Sequence, residues 1–143
     1  ELQMKGKLEE AVDFYKQSID SFPTAEAHTF LGWAYSFMGQ LHEAIEECHR
    51  AIRQDPEFGN PYNDIGAYLI ELNQLEDAIP WLEKAMKAKR YENPAFPHMN
   101  LGRVHERKGE WDQAVDSYKK SLALNPEYKT AKQALMRILT LMN

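Results

Sequence analysis

The sequence predicts an all-α protein built from repeated pairs of antiparallel helices, closed at its C-terminal end by one further helix. Three observations carry this. Four blocks align without gaps: GKLEEAVDFYKQSIDSFP (6–23), GQLHEAIEECHRAIRQDP (39–56), NQLEDAIPWLEKAMKAKR (73–90) and GEWDQAVDSYKKSLALNP (109–126). Their alanines, Ala11, Ala44, Ala78 and Ala114, recur at spacings of 33, 34 and 36 residues, the interval of a two-helix repeat. Ahead of three blocks lies a second related set, FLGWAY (30–35), DIGAYL (64–69) and NLGRVH (100–105), whose glycines Gly32, Gly66 and Gly102 are spaced by 34 and 36. Within each unit the apolar residues step by three and four, the period of a helix that buries one face.

Residues 1–24 hold the second helix of a truncated unit, with Leu8, Val12, Tyr15 and Ile19 as its apolar stripe. Residues 1–5 are too few for a first helix, so the stripe loses part of its natural cover. Exposed apolar surface of that kind predicts upstream repeats in a longer parent protein, or self-association through this half-repeat. The opening ELQMKGK reads as a cut inside a longer pattern.

Residues 25–58 form a complete unit. Its first helix, over 27–38, shows Ala27, Phe30, Leu31, Ala34, Tyr35 and Met38 on one broad face; its second, over 41–52, shows Leu41, Ala44, Ile45, Cys48, Ala51 and Ile52 as one stripe. Turn residues open the four blocks, Gly6, Gly39, Asn73 and Gly109, where a left-handed backbone is easiest. Small side chains at Gly32 and Ala44 let two helix backbones approach. Asp55-Pro56 and Asn125-Pro126 end second helices, because proline disfavours the helical state just before it.

Residues 59–94 form the next repeat, with an extended linker. Pro80 removes the amide that would bond to Glu76, which predicts a mild kink rather than a break. The join KAKRYENPAFP (87–97) is two residues longer than its equivalents, which predicts a changed stacking angle. Residues 95–128 form the last repeat, where Pro97 fits the first helical turn and His98 and His105 fill inward slots. Residues 129–143 carry Ala131, Ala134, Leu135, Ile138 and Leu139 at helical spacing, a capping helix over the final open face.

These units resemble tetratricopeptide repeats. Leu31-Gly32, Tyr35, Gly39, Ala44, Ala51 and Pro56 match that family's signature, and Ile65-Gly66, Ala78 and Ala85 match it again. Leu101-Gly102, Gly109, Ala114 and Pro126 match it a third time. The resemblance implies a right-handed α-solenoid in which first helices line a concave groove and second helices form the outer wall. It also implies a non-catalytic protein–protein interaction scaffold. The family's best-known specialisation is a clamp for the acidic C-termini of heat-shock chaperones. That clamp needs lysine and asparagine on one first helix, asparagine on the next, and lysine with arginine or a similar pair on the third. The slots here hold Thr29 and Trp33, then Asp64, then Phe96 and Asn100, so chaperone tails are not the expected ligand.

The face of each first helix opposite its core stripe is free of packing duties and supplies the candidate peptide-binding residues: Trp33, Phe37, Asn63, Ile70, Phe96, Met99, Asn100, Arg103 and Arg107. Trp33 with Phe37, Ile70, Phe96 and Met99 makes an apolar strip of the kind that anchors a peptide's side chains. Asn63 and Asn100 offer both donor and acceptor to an extended peptide backbone. Arg103 and Arg107, one turn apart and near Arg137 of the capping helix, make that end positive and suited to an acidic segment.

Other functions are argued against. HEAIEECH (42–49) begins like the zinc-protease signature His-Glu-x-x-His, but Glu46 stands where the second imidazole belongs. Glu9-Glu10-Ala11-Val12 and Glu76-Asp77-Ala78-Ile79 show the same run without histidine, so the repeat itself explains it. His42 and His49 are then wall-surface residues, Cys48 is core, and a looser metal site at His42, Glu46 and His49 is the rival reading. A net charge of -5 argues against a nucleic-acid backbone as main partner. No window reaches the roughly 18 uninterrupted apolar residues a spanning helix needs. One cysteine permits no intramolecular disulfide and no four-cysteine zinc site. No glycine-rich phosphate loop or nucleophile elbow is present, so no catalysis, cofactor or metal is expected. The lone cysteine suits the cytoplasm and leaves the periplasm open.

Overall fold

The computed structural model describes residues 2–143; Glu1, the first residue of the truncated unit, lies outside them. The described residues form eight α-helices: α1 Leu2–Ser21, α2 Ala25–Phe37, α3 Leu41–Gln54, α4 Asn60–Glu71, α5 Leu75–Lys87, α6 Ala95–Arg107, α7 Trp111–Leu124 and α8 Lys129–Met142. Among the described residues there is no strand, only an isolated parallel bridge between Phe58 and Arg90. None of these helices is long and apolar enough to cross a membrane.

Each helix packs on the next in sequence, and α2 also meets α4 as α4 meets α6. The first helices thus lie side by side, while α3, α5 and α7 are held further apart. A stack whose one layer is closer spaced curves towards that layer, so α2, α4 and α6 form the inner face of the solenoid. The chain reversals follow the repeat: Gly39 (φ 79°), Asn73 (φ 61°) and Gly109 (φ 75°) all take the left-handed conformation. Gly6, aligned with them, lies inside α1 instead. The preceding Leu2-Gln3-Met4-Lys5 are good helix formers and continue the helix, against which one glycine costs only about 1 kcal/mol.

The core runs between the layers. Ala44 and Cys48 of α3, Ile65 and Leu69 of α4, Ala78 and Leu82 of α5 and Val104 of α6 make its central cluster. Met99, Tyr118 and Ile138 anchor a second cluster under α8, and Val12, Leu31 and Ala34 a third between α1 and α2. Alanine at the crossing points brings the backbones close, and Cys48 is fully buried among them. Phe30 departs from the expected core face: Leu31 and Ala34 fill the narrow space against Val12, and Phe30 is turned out beside them. His98 and His105 are only half-buried. His105 Nδ1 lies 2.8 Å from Glu110 Oε1, bracing the α6–α7 turn.

The long join between α5 and α6 has a specific use. Arg90 reaches back over the preceding repeat, where its guanidinium bonds Asp55 Oδ2 (2.6 Å) and Glu26 Oε2 (3.2 Å) and lies over the Phe58 ring. The Gly59 amide donates to Arg90 O at 3.0 Å and the Arg90 amide to Glu57 O at 3.0 Å. Tyr91 then packs so close to Gly59 that a Cβ there would lie 2.6 Å from its ring. Pro80 sits on the exposed side of α5, and the helix runs through it.

Thr24 caps α2, its hydroxyl oxygen accepting from the Ala27 amide at 3.0 Å. Thr24→Ala is expected to cost about 1 kcal/mol in urea unfolding, and Thr24→Ser to keep most of it. Equal losses in both variants would assign the effect to the methyl group rather than the cap.

Candidate functional site

The inner face is not uniformly available. On α2, Phe30, Trp33 and Phe37 recur at helical spacing and are 51%, 47% and 62% exposed. Apolar side chains of that size left open side by side have no part in the core. Trp33 and Phe37 touch with ring centroids 4.5 Å apart, and Phe30 stacks on Tyr15 of α1 at 5.6 Å. Between this row and α4 lies a cavity of about 360 Å³ lined by Tyr15, Thr29, Phe30, Trp33, Asn60 and Asp64. A smaller, adjoining hollow shares Phe30 and Asn60 and runs on to Arg90 and Glu92.

Asp64 is the unusual group there. Burial pushes its carboxyl up to about 7, with no hydrogen bond or cation acting on it. The hydroxyl of Thr29 donates to Ala25 O at 2.7 Å, so that residue can offer the cavity only lone pairs.

The other expected binding residues divide differently. Phe96 is half-buried, its ring 5.2 Å from that of Tyr128. Ile70 is sealed in the central core and Met99 in the cluster under α8, so neither extends the apolar strip. Both belong to α4 and α6 faces that α5, α7 and α8 cover. Asn63 and Asn100 are buried as well and bond one another, Asn100 Nδ2 donating to Asn63 Oδ1 at 3.0 Å. Their amides therefore join α4 to α6 rather than waiting for a peptide backbone. Arg103 donates to Asn100 Oδ1 at 2.9 Å, and Arg107 to Ile70 O at 2.9 Å, where a cation suits the carboxyl end of α4. Neither arginine has a carboxylate partner among the described ion pairs. Arg137 does: both oxygens of Glu106 accept from it, at 2.7 and 2.8 Å, so its charge is answered inside the fold.

Sequence reasoning missed Phe30, Tyr15 and the pocket role of Asp64. The i, i+3, i+7 spacing of Phe30, Trp33 and Phe37 was a usable signal; the position of Asp64 against them was not. It also missed Glu47, buried on α3, whose carboxylate meets His28 Nδ1 of α2 at 2.8 Å and also binds Arg50. This pair pins the two helices of the repeat together. His42 is exposed and His49 packs edge-on against Trp81 at 5.3 Å. Among the described residues no three His, Cys, Asp or Glu side chains converge as a metal ion would require.

Comparisons with known proteins agree with this architecture. The chain is 27% identical over 114 residues to human DnaJ homolog subfamily C member 3, covering 80% of this chain and 22% of that protein. It is 27% identical over 122 residues to the type IV pilus assembly protein PilF of Pseudomonas aeruginosa, covering 85% of this chain and 48% of the other. The chain thus spans about a fifth of the first relative and about half of the second. The solved structure of Pseudomonas aeruginosa PilF superposes with a TM-score of 0.86 at 25% identity, over 99% of this chain and 64% of that one. The crystal structure of MamA gives 0.76 at 25% identity, over 95% and 79%. Family models described as tetratricopeptide repeat match residues 25–58 and 57–127. On those matched units and the helix pairs they fold into, this chain belongs to the tetratricopeptide repeat family.

Proposed function

We propose that this chain is a non-catalytic scaffold that binds a peptide or protein segment along the inner face formed by α2, α4 and α6. The observation that carries the reading is the exposed row Phe30, Trp33 and Phe37, which the fold does not use and which borders a cavity of side-chain size. Aromatic side chains held on a rigid helix anchor a partner at little cost in conformational entropy. At the α6 end Arg103 and Arg107 keep charges unmatched by any ion pair described, so an acidic stretch of the partner fits there. Similarity to a protein named for pilus assembly supports partner binding as the mode of action, without naming the partner. Cytoplasmic placement goes with the proposal, since the single buried thiol Cys48 needs no oxidising compartment.

Selection of heptapeptides from a displayed library tests this. Selected peptides are expected to lose about tenfold or more in affinity to Trp33→Ala, the scale of one aromatic anchor. Unchanged affinity in both Trp33→Ala and Arg107→Glu would remove the groove from the account.

A second reading, self-assembly through the truncated unit, has its own support. Met4 and Phe14 of α1 and Phe22 just after it are exposed, and a cavity of about 450 Å³ lined by Met4, Lys5, Leu8, Phe37, Met38 and Gln40 opens at the Met4 end. Sedimentation equilibrium across a concentration series decides it: growth of the mass that Phe14→Asp abolishes supports assembly, and a constant monomer mass ends it.

A further inference from the structure

We propose that the cavity bounded by Tyr15, Phe30, Trp33 and Asp64 is a subsite for one cationic side chain of the bound segment, arginine ahead of lysine. The inference rests on the groove reading above and adds the chemistry of what the groove selects.

The lining brings together three aromatic rings and one carboxyl group. Tyr15 and Phe30 stack nearly parallel, at an interplanar angle of 18°, and Trp33 stands next to Phe30 on the same helix face. Aromatic faces carry negative quadrupolar charge and attract cations, tryptophan most strongly. Asp64 adds a carboxyl group at the same cavity, which a bound cation would hold in its charged form. The remaining polar groups are compatible with a cation: the Thr29 hydroxyl already donates to Ala25 O and keeps its lone pairs, and the Asn60 amide can present its carbonyl. Tyr15, Thr29, Asn60 and Asp64 can thus each accept from a donor, and no lining residue brings a positive charge.

Among the described residues no cation already fills the role. The lining residues include neither lysine nor arginine. Arg90, at the adjoining hollow, is held by Asp55, Glu26 and the Phe58 ring. Asp64 is half-buried with no partner among the described residues, and the cost of its loss of water holds the proton on up to about 7. A neutral apolar side chain would deepen that cost, and an acid would add repulsion. A guanidinium would offset it with charge-assisted hydrogen bonds while lying flat on Trp33 or Phe30, which is why arginine should exceed the compact, strongly hydrated ammonium of lysine. A cavity of about 360 Å³ has room for one long side chain.

The test titrates three end-blocked tripeptides, Gly-Arg-Gly, Gly-citrulline-Gly and Gly-Glu-Gly, into the intact chain, following the Trp33 indole and the Asn60 and Asp64 amides by NMR. Citrulline keeps the shape of arginine without its charge. The arginine peptide is expected to bind at least tenfold more tightly than the citrulline peptide, and the glutamate peptide to leave these signals still. Asp64→Asn is expected to fold normally and to erase the difference between arginine and citrulline. No saturable shift with the arginine peptide up to about 10 mM, equal binding of citrulline, preference for glutamate, or indifference to Asp64→Asn each overturns the subsite. The library separates this from failure of the groove. Peptides that need Trp33 but bind Asp64→Asn as well as the parent overturn the cation site alone; peptides indifferent to Trp33→Ala overturn both.

Discussion

Replacing Gly102 by alanine is expected to lower the unfolding free energy by about 2–3 kcal/mol, although alanine is the better helix former. A Cβ at that position would lie 2.5 Å from Cε1 and 2.6 Å from Cδ1 of Tyr118, far inside van der Waals contact. The ring has no easy retreat. Tyr118 is fully buried, and its hydroxyl donates to Glu106 Oε1 at 2.8 Å, the carboxylate that also holds Arg137 of α8. Moving the ring therefore disturbs the docking of the capping helix as well as the α6–α7 crossing. Gly32→Ala is the internal control, since its new methyl would meet Ala44 O at 3.0 Å and Cys48 Sγ at 3.6 Å and is expected to cost less. A shortened partner supplies the second check: in the Gly102→Ala, Tyr118→Leu double variant the two losses should fall short of additivity by at least about 1 kcal/mol. Additive losses, or a Gly102→Ala as stable as the parent, would show that the ring is not what excludes the methyl group. Denaturant unfolding with an unchanged slope is the measurement.

That glycine illustrates what was legible in the sequence. The repeat fixes where helices must approach, because only small residues recur at Gly32, Gly66 and Gly102 and at Ala44, Ala78 and Ala114, and all six are buried at helix crossings. The turns are as plain, since left-handed backbone leaves few residue types to choose from. Gly6 is the exception because its alignment carries no turn once the residues before it continue the helix.

The groove was less legible, for two reasons. A helical face is about 100° wide, so a residue at its edge, such as Phe30, is assigned to core or groove only by the neighbours that compete for the space. Leu31 and Ala34 win it, and Phe30 joins Trp33. Second, polar side chains on the inner face can spend their bonds on each other across repeats. Asn63 with Asn100, and Arg107 with Ile70 O, are pairs 37 residues apart. No local pattern in the chain announces them. The same holds for Glu47, which sits in a run of charge that reads as solvated wall until His28 is seen opposite.

Asp64→Asn is expected to stabilise the chain by about 2–3 kcal/mol at pH 8 and to change little at pH 4. The sign follows from the direction of the shift. Burial raises the folded-state value to about 7, whereas the unfolded chain ionises near the ordinary aspartate value of about 4. Below pH 4 both states hold the proton, and Asp64 takes nothing from stability. Between pH 4 and 7 the unfolded state gives it up and the folded state keeps it, so stability falls as pH rises; above 7 the deficit is constant. The groups around it do not confuse the reading. Cys48 on α3, Tyr68 on α4 and Tyr91 in the α5–α6 join are all pushed upward by burial and stay neutral over this range. Urea unfolding of parent and variant at pH 4, 6 and 8 measures the difference, and curves that stay parallel across the three would place Asp64 in open solvent. A position expected to lower stability at neutral pH, in a cavity lined by aromatic rings, does not serve the fold and suits a binding site. A cation arriving there removes the penalty, so the same free energy that weakens the empty groove is returned as affinity when it is filled.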